Sequence, residues 1–347
     1  MADLFKDAEE RTLLVNNAAA ERGVAPWVIE KDLWVCWLLA RLHDVPGIPV
    51  LTFKGGTSLS KVHDLIQRFS EDIDLTFSRE GWGFDGERDP LSEGLSGKKR
   101  ERLIKAIAER SAGIVRDVVV PGLEAICADA LGDSDWTVEI ADNDPQAVLF
   151  TYPSPSAAYA YGKPIVKAEF GARGDPWPTA PRLVRAYLEE MYEGIATTAM
   201  ADVVTLEVER TFWEKVTLLH AIHHGTLVRP EKRVERLSRH AYDIHKMWRR
   251  PELRERLVAD PALLRRVVNH KKIFFKEGKA RYELVEEFTL NAVPHDALEV
   301  RLRDDYKAME SMFFPESEIP DFGELLATLR EVEQVVARWR GVDESFS

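Results

Sequence analysis

A chain of 347 residues, 45% hydrophobic and 31% charged, is long enough for two domains and apolar enough for a core. It has no apolar run near twenty residues and no basic-then-apolar opening, so a cytoplasmic protein with no membrane partner is expected. The net charge of −12 speaks against nucleic acid as a partner of the chain taken whole, and the two cysteines, Cys36 and Cys127, sit in apolar helical contexts that read as core, not as a disulfide or metal pair.

Residues 1–23 read as a polar helix. Pro26 opens a stronger one through about Leu42, carrying Trp27, Ile29, Leu33, Trp34, Trp37, Leu38 and Leu42. Its Glu30-Lys31-Asp32 triplet is expected to be an exposed first turn, as charged residues are seldom buried. Val50, Leu51 and Phe53 suggest a short strand that Gly55 and Gly56 break, and a short helix starts at Thr57 or Ser58. Next, Ile73, Leu75 and Phe77 alternate with Asp72, Asp74 and Thr76 at the strand period. Asp72 and Asp74 would then stand side by side, and two carboxylates so placed raise each other's pKa unless a cation lies between them. Mg²⁺ is the usual solution, with phosphate oxygens completing its shell. Glycines leading into a helix N-terminus offer N–H groups to such a phosphate. Either half alone is often an ordinary turn or a solvated strand face. The two joined by one short helix are far more specific.

Residues 79–97 read as a long loop and 98–131 as helix broken near Pro121-Gly122, followed by strands at 136–140 and 147–152. After a loop over 152–164, residues 165–173 read as a strand with Val166, Ala168 and Phe170 facing one way and Lys167 and Glu169 the other. Glu169 is the candidate third carboxylate, to complete a metal shell or to take a proton; the alternative is an ordinary half-exposed Glu. Arg173 is a candidate phosphate contact. The rigid stretch 174–181 is the expected domain boundary, giving domains of 1–180 and 181–347, with a short helix and a strand inside 182–205.

The second half reads as helical. One helix is expected over 206–224 with Gly225 as its stop, and another over 236–249. Lys215 on the first and Asp243 on the second read, by themselves, as a structural ion pair. His220, His223 and His224 offer neither a fourth ligand nor a Cys, which disfavours a zinc site. Residues 229–282 hold 17 Lys/Arg against 7 Asp/Glu, a local net of +10 that is compatible with RNA or with solvated helix faces. Lys271-Lys272-Ile273-Phe274-Phe275-Lys276 reads as a basic strand or loop that could meet an RNA end. Residues 294–313 and 319–340 read as structural amphipathic helices.

Phe53-Lys54-Gly55-Gly56-Thr57-Ser58-Leu59-Ser60-Lys61, followed by Arg68-Phe69-Ser70-Glu71-Asp72-Ile73-Asp74-Leu75, resembles the AbiEii/AbiGii-type toxins, among them the mycobacterial MenT toxins. These belong to the DNA polymerase β-like nucleotidyltransferase superfamily, whose signature is Gly-Gly/Ser, a short helix, then Asp-x-Asp/Glu. The segments 210–215 and 239–244 resemble the family's last motif, with Tyr242 where many relatives have Leu or Ile. The likeness runs over roughly 26–248, and more weakly to 282.

The resemblance implies an α+β chain: a polymerase β-like domain with a small mixed sheet and helices, then a helical domain, with the site in the cleft between them. It implies Mg²⁺ or Mn²⁺ on Asp72, Asp74 and Glu169, and NTP bound by Lys54, Gly55, Gly56, Thr57, Ser58, Lys61, Arg68 and Ser70. Lys31 is a further candidate phosphate contact, and Lys215 and Asp243 join the catalytic set. The implied reaction sends an acceptor hydroxyl onto the α-phosphorus with loss of pyrophosphate. The implied acceptor is an RNA, foremost the 3′ end of tRNA. A cognate antitoxin encoded nearby, in a type IV-like system, and a role in phage defence are implied as well. Two alternatives stand beside it: transfer of NMP to Ser, Thr or Tyr of a protein, and a catalytically silent nucleotide-binding module.

Overall fold

Residues 4–154, 164–276, 278–315 and 317–340 are described by a computed structural model. The chain forms two compact units. The first comprises Met1–Asp64, Phe69–Leu206 and Phe314–Glu316; the second comprises Leu65–Arg68, Glu207–Phe313 and Ser317–Ser347.

In the first unit, α1 (Ala8–Arg22) is capped by Asp7, whose side chain accepts from the Glu9 and Glu10 N–H groups, and it stops at Gly23 in the left-handed region. α2 (Pro26–Leu42) starts on proline and is buried on nearly every side. It is followed by β1 (Leu51–Lys54), α3 (Gly55–Lys61), β2 (Ile73–Phe77), α4 (Gly97–Ile114), a π-helical turn over Val115–Val119, α5 (Val120–Leu131), β3 (Thr137–Ala141), β4 (Asp144–Thr151), β5 (Ile165–Gly171), β6 (Thr179–Arg185), α6 (Tyr187–Met191) and β7 (Met200–Leu206). The strands make one seven-stranded sheet in the order β3-β4-β5-β2-β1-β7-β6. It is mixed: β2–β5 and β1–β7 are parallel, and the other pairs antiparallel. Trp34 and Trp37 of α2 pack on Phe150 of β4 with ring centroids 5.9 and 5.6 Å away, and Phe5 closes the cluster over Trp34 at 5.1 Å. Such aromatic contacts supply much of a core's buried apolar area.

Several expectations change here. The sheet does not end at 180: β6 begins at Thr179 and pairs with β7 as far as Arg185 opposite Met200, so the break between units falls at Leu206/Glu207. Residues 79–96 are the expected long loop, held at Trp82, which is buried against Phe77 while Arg110 stacks on its ring and donates to its carbonyl at 3.0 Å. The expected loop at 152–164 lies mostly outside the described residues.

The second unit is helical: α7 (Val208–Val228), α8 (Ser238–Trp248), α9 (Pro251–Val258), α10 (Pro261–Phe274), α11 (Tyr282–Glu286), α12 (Asp296–Ala308) and α13 (Phe322–Arg338). α7 runs through Gly225 to Val228 instead of stopping there; the helical backbone places no left-handed turn at that glycine. Phe212 of α7 stacks on Trp248 of α8 at 5.8 Å, and the Trp213 indole donates to the Leu257 carbonyl. α13 opens with a capping box between Asp321 and Glu324. Lys271, Lys272 and Phe274 sit on the last turn of α10, which corrects the expected strand or loop. Part of the local positive charge is cancelled by acids outside 229–282: Arg249 pairs with Glu331, Arg256 with Glu209, and Lys272 with Glu286. No helix among the described residues is long and apolar enough to cross a membrane.

Candidate active site

β2 presents Ile73, Leu75 and Phe77 to the core, leaving Asp72, Asp74 and Thr76 on the opposite face. In register, Lys54 of β1 lies opposite Asp74, and Asp74 lies opposite Glu169 of β5. Directly paired residues project from the same face. Lys54, Asp74 and Glu169 therefore form one row across three adjacent strands, and Asp72 and Lys167 lie one step along.

Gly55 turns the chain from this row into α3. Its φ is +84°, and a Cβ there would lie 2.0 Å from Asp74 Oδ2, so only glycine lets the backbone pass so close to the carboxylate. The Thr57 hydroxyl donates to the Asp72 carbonyl at 2.5 Å and accepts from the Ser70 hydroxyl at 3.0 Å, which ties α3 to the start of β2. Ser58 Oγ donates to the Gly55 carbonyl at 3.0 Å. Both residues are fully buried, so their hydroxyls hold the turn in shape and do not face solvent.

Burial pushes the Asp72 carboxyl above its ordinary range, and the Glu71, Asp74 and Glu169 carboxylates push it further, against the pull of Lys167. Among the described residues, no hydrogen bond or ion pair neutralises the Asp72 or Asp74 carboxylate. Crowded, hard oxygen donors of this kind suit a divalent cation. Glu169 is on the same face, but its carboxylate is ion-paired with Lys167. No three His, Cys, Asp or Glu side chains among the described residues stand grouped for a metal.

Several other sequence candidates have partners of their own. Lys61 is buried, with its ammonium 2.9 Å from Asp32 Oδ1 and 3.6 Å over the Tyr187 ring. Burial would lower its pKa, but Asp32, Cys36, Tyr187 and Glu190 raise it well above the usual range. Glu30, Lys31 and Asp32 are buried, not exposed: Glu30 accepts from Ser154, Lys31 pairs with Glu71, and Asp32 accepts from the Tyr187 N–H. The reason is that α2 has no solvent face, so each charge on it acquires a partner. Arg173 is exposed. The sequence placed Lys167 on the strand face of Glu169, but gave it no part in the site.

Within the helical unit, Arg68 meets Asp243 through two 2.8 Å bonds, Nε to Oδ1 and Nη2 to Oδ2. Lys215 Nζ lies 3.0 Å from Asp243 Oδ2. Burial alone would raise Asp243; Arg68 and Lys215 overcome it and hold the carboxylate well below its usual range. The Lys215 ammonium is lowered, by burial first and by Arg68 next to it, against the pull of Asp243. Arg68 thus shares Asp243 with Lys215.

No curated protein sequence matches this chain. Among solved structures it is similar to MenT4, a nucleotidyltransferase toxin from Mycobacterium tuberculosis H37Rv, with a TM-score of 0.45 and 16% identity over 95% of this chain and 99% of that one. The family model described as "Nucleotidyl transferase AbiEii toxin, Type IV TA system" matches residues 37–328, and the chain belongs to that family of type IV toxin–antitoxin nucleotidyltransferases.

Proposed function

We propose that this chain transfers a nucleoside monophosphate from an NTP to the 3′ end of an RNA, tRNA before other RNAs, and so blocks translation. The observation that supports the reading is the row of Lys54, Asp74 and Glu169 across three strands, with Gly55 packed against Asp74. Asp72, Asp74 and Glu169 would hold a divalent cation, Mg²⁺ or Mn²⁺. When bound, it would supply charge to polarise the α-phosphate. The backbone at Gly55 and Gly56 and the Lys54 ammonium receive the triphosphate. Glu169 accepts the proton of the attacking hydroxyl as the new oxygen–phosphorus bond forms and the bond to pyrophosphate breaks. Lys215, with Asp243 as its counter-ion, is assigned to the charge of the leaving pyrophosphate. Chemistry of this kind asks side chains for position and charge, not for covalent intermediates. A cognate antitoxin encoded nearby and a part in phage defence belong to the same reading.

The test uses purified protein, total tRNA and each α-³²P-labelled NTP in turn with Mg²⁺, beside an Asp72→Ala/Asp74→Ala control. Label on tRNA in one lane and none in the control is the expected result. Label on a protein band and none on RNA would replace the RNA acceptor with a protein hydroxyl. Nucleotide bound without any transfer would leave a silent binding module.

A further inference from the structure

Lys167 and Glu169 are two residues apart on β5, project from the same sheet face, and are ion-paired. The register Ile73 to Ala168 and Asp74 to Glu169 carries this pair alongside Asp72 and Asp74. The side chains of Lys167 and Glu169 are 35% and 41% exposed. A pair that open to water contributes little to stability. Its effect is local: it neutralises the one carboxylate of the row that a metal shell would need third. The three carboxylates share a face, and Glu169 is the one that Lys167 holds.

We propose that Lys167 is the resting counter-cation of this carboxylate face: it keeps Glu169 until a divalent cation takes the carboxylate from it, and so sets how much metal the site requires. The ammonium released by the exchange stays beside Asp72 and becomes available to a phosphate oxygen of the incoming triphosphate. The inference rests on reading Asp72, Asp74 and Glu169 as metal ligands.

Mn²⁺ binding to the full chain without nucleotide, followed by the loss of the free-ion EPR signal, tests it without any turnover. Lys167→Met should bind Mn²⁺ roughly ten-fold more tightly than the wild type, the scale of removing one cation a few ångströms away in a partly exposed site. Lys167→Arg should behave as wild type. In a Glu169→Gln background the gain from Lys167→Met should shrink to what the ammonium's direct repulsion of a metal at Asp72 and Asp74 leaves. Matched thermal melts keep misfolding apart from binding. If Lys167→Met leaves Mn²⁺ affinity unchanged or weakens it, while Asp72→Asn/Asp74→Asn loses Mn²⁺, the counter-cation role is wrong and the metal reading survives. If Asp72→Asn/Asp74→Asn binds Mn²⁺ as the wild type does, the ligand reading fails and takes this proposal with it.

Discussion

Arg68 and Asp243 are 175 residues apart in sequence and meet as a two-pronged ion pair that is almost wholly buried. Two bonds at 2.8 Å fix the carboxylate plane, and Lys215 takes the same oxygen that Arg68 Nη2 does. One anion between two buried cations is stable only as a set, because each member is desolvated. Removing Arg68 leaves Asp243 with Lys215; removing Asp243 leaves two cations facing each other. Asp243→Asn should therefore cost about 3–5 kcal/mol, and Arg68→Ala a similar or somewhat smaller amount. Urea denaturation of the two variants measures this. A loss under about 1 kcal/mol for both would mean that the pair is solvated in solution.

His220 makes stability depend on mild acid. It is fully buried, its Nε2 lies 3.1 Å from the Arg281 carbonyl, and its Nδ1 accepts the Asn291 N–H at 3.0 Å. A proton on Nδ1 would turn that acceptor into a second donor facing a donor. Burial first, and then the neighbouring His224 and His223, lower the pKa to about 4, against the pull of the Arg281 carbonyl. The unfolded chain, with a pKa near 6.5, binds more protons than the folded one between these values. Stability therefore rises with pH across about 4 to 6.5, is fully present above that window, and declines as pH falls through it. The contribution is up to about 3 kcal/mol. His220→Gln should flatten the pH dependence of the urea midpoint between pH 7 and 4.5; an unchanged slope would place the titration elsewhere.

The parts of this molecule legible in its sequence are those with a short period or a short reach. The Asp72–Phe77 alternation, the Val166–Phe170 alternation and the Pro26–Leu42 helix each repeat within a few residues. Glu169 was legible as a candidate because the strand period separates it from the buried set. The partners of Lys61 and Arg68 were not, since Asp32 lies on another helix and Asp243 lies 175 residues away. Both basic residues lie in the segments that carry the family resemblance, and it was the resemblance that assigned them to the nucleotide. The exposed reading of Glu30-Lys31-Asp32 failed for a related reason: charged residues are usually exposed, and nothing local announces a helix buried all round. Lys167 was read as sharing the strand face of Glu169, but nothing in the sequence showed that the two would pair.

Lys61→Met separates the nucleotide role from the structural one. The Lys61 ammonium reaches Asp32 on α2 and lies over Tyr187 of α6, so it ties α3 to both helices. Its removal leaves buried Asp32 with the Tyr187 N–H but no cation, while Glu190 keeps Arg22 at 3.8 Å. The cost should be about 3 kcal/mol of stability, as for other broken buried pairs. Nucleotide affinity of the folded fraction, measured by calorimetry below the melting range, should stay within about two-fold of wild type. A large loss of NTP affinity with an unchanged melting temperature would restore Lys61 to the phosphate-binding set.

Gly55→Ala tests the close passage of backbone and carboxylate, and Gly23→Ala is its control. Both glycines adopt left-handed backbone, with φ of +84° and +66°, so both substitutions carry similar conformational strain of roughly 1 kcal/mol. At Gly23 a Cβ meets nothing within 4 Å, whereas at Gly55 it would lie 2.0 Å from Asp74 Oδ2 and 2.8 Å from its Cγ. Either Asp74 swings out of the row it shares with Lys54 and Glu169, or the start of α3 shifts away from it. In both cases the donor set is displaced by an ångström or more, which costs on the order of 10²-fold in rate. Gly23→Ala should keep wild-type nucleotide transfer with a small loss of melting temperature. Gly55→Ala should lose a further 1–3 kcal/mol, roughly the cost of overpacking, and about a hundred-fold in label transfer per folded molecule. Equal activity in the two variants would show that Asp74 can move without consequence, and its place in the row would then be structural.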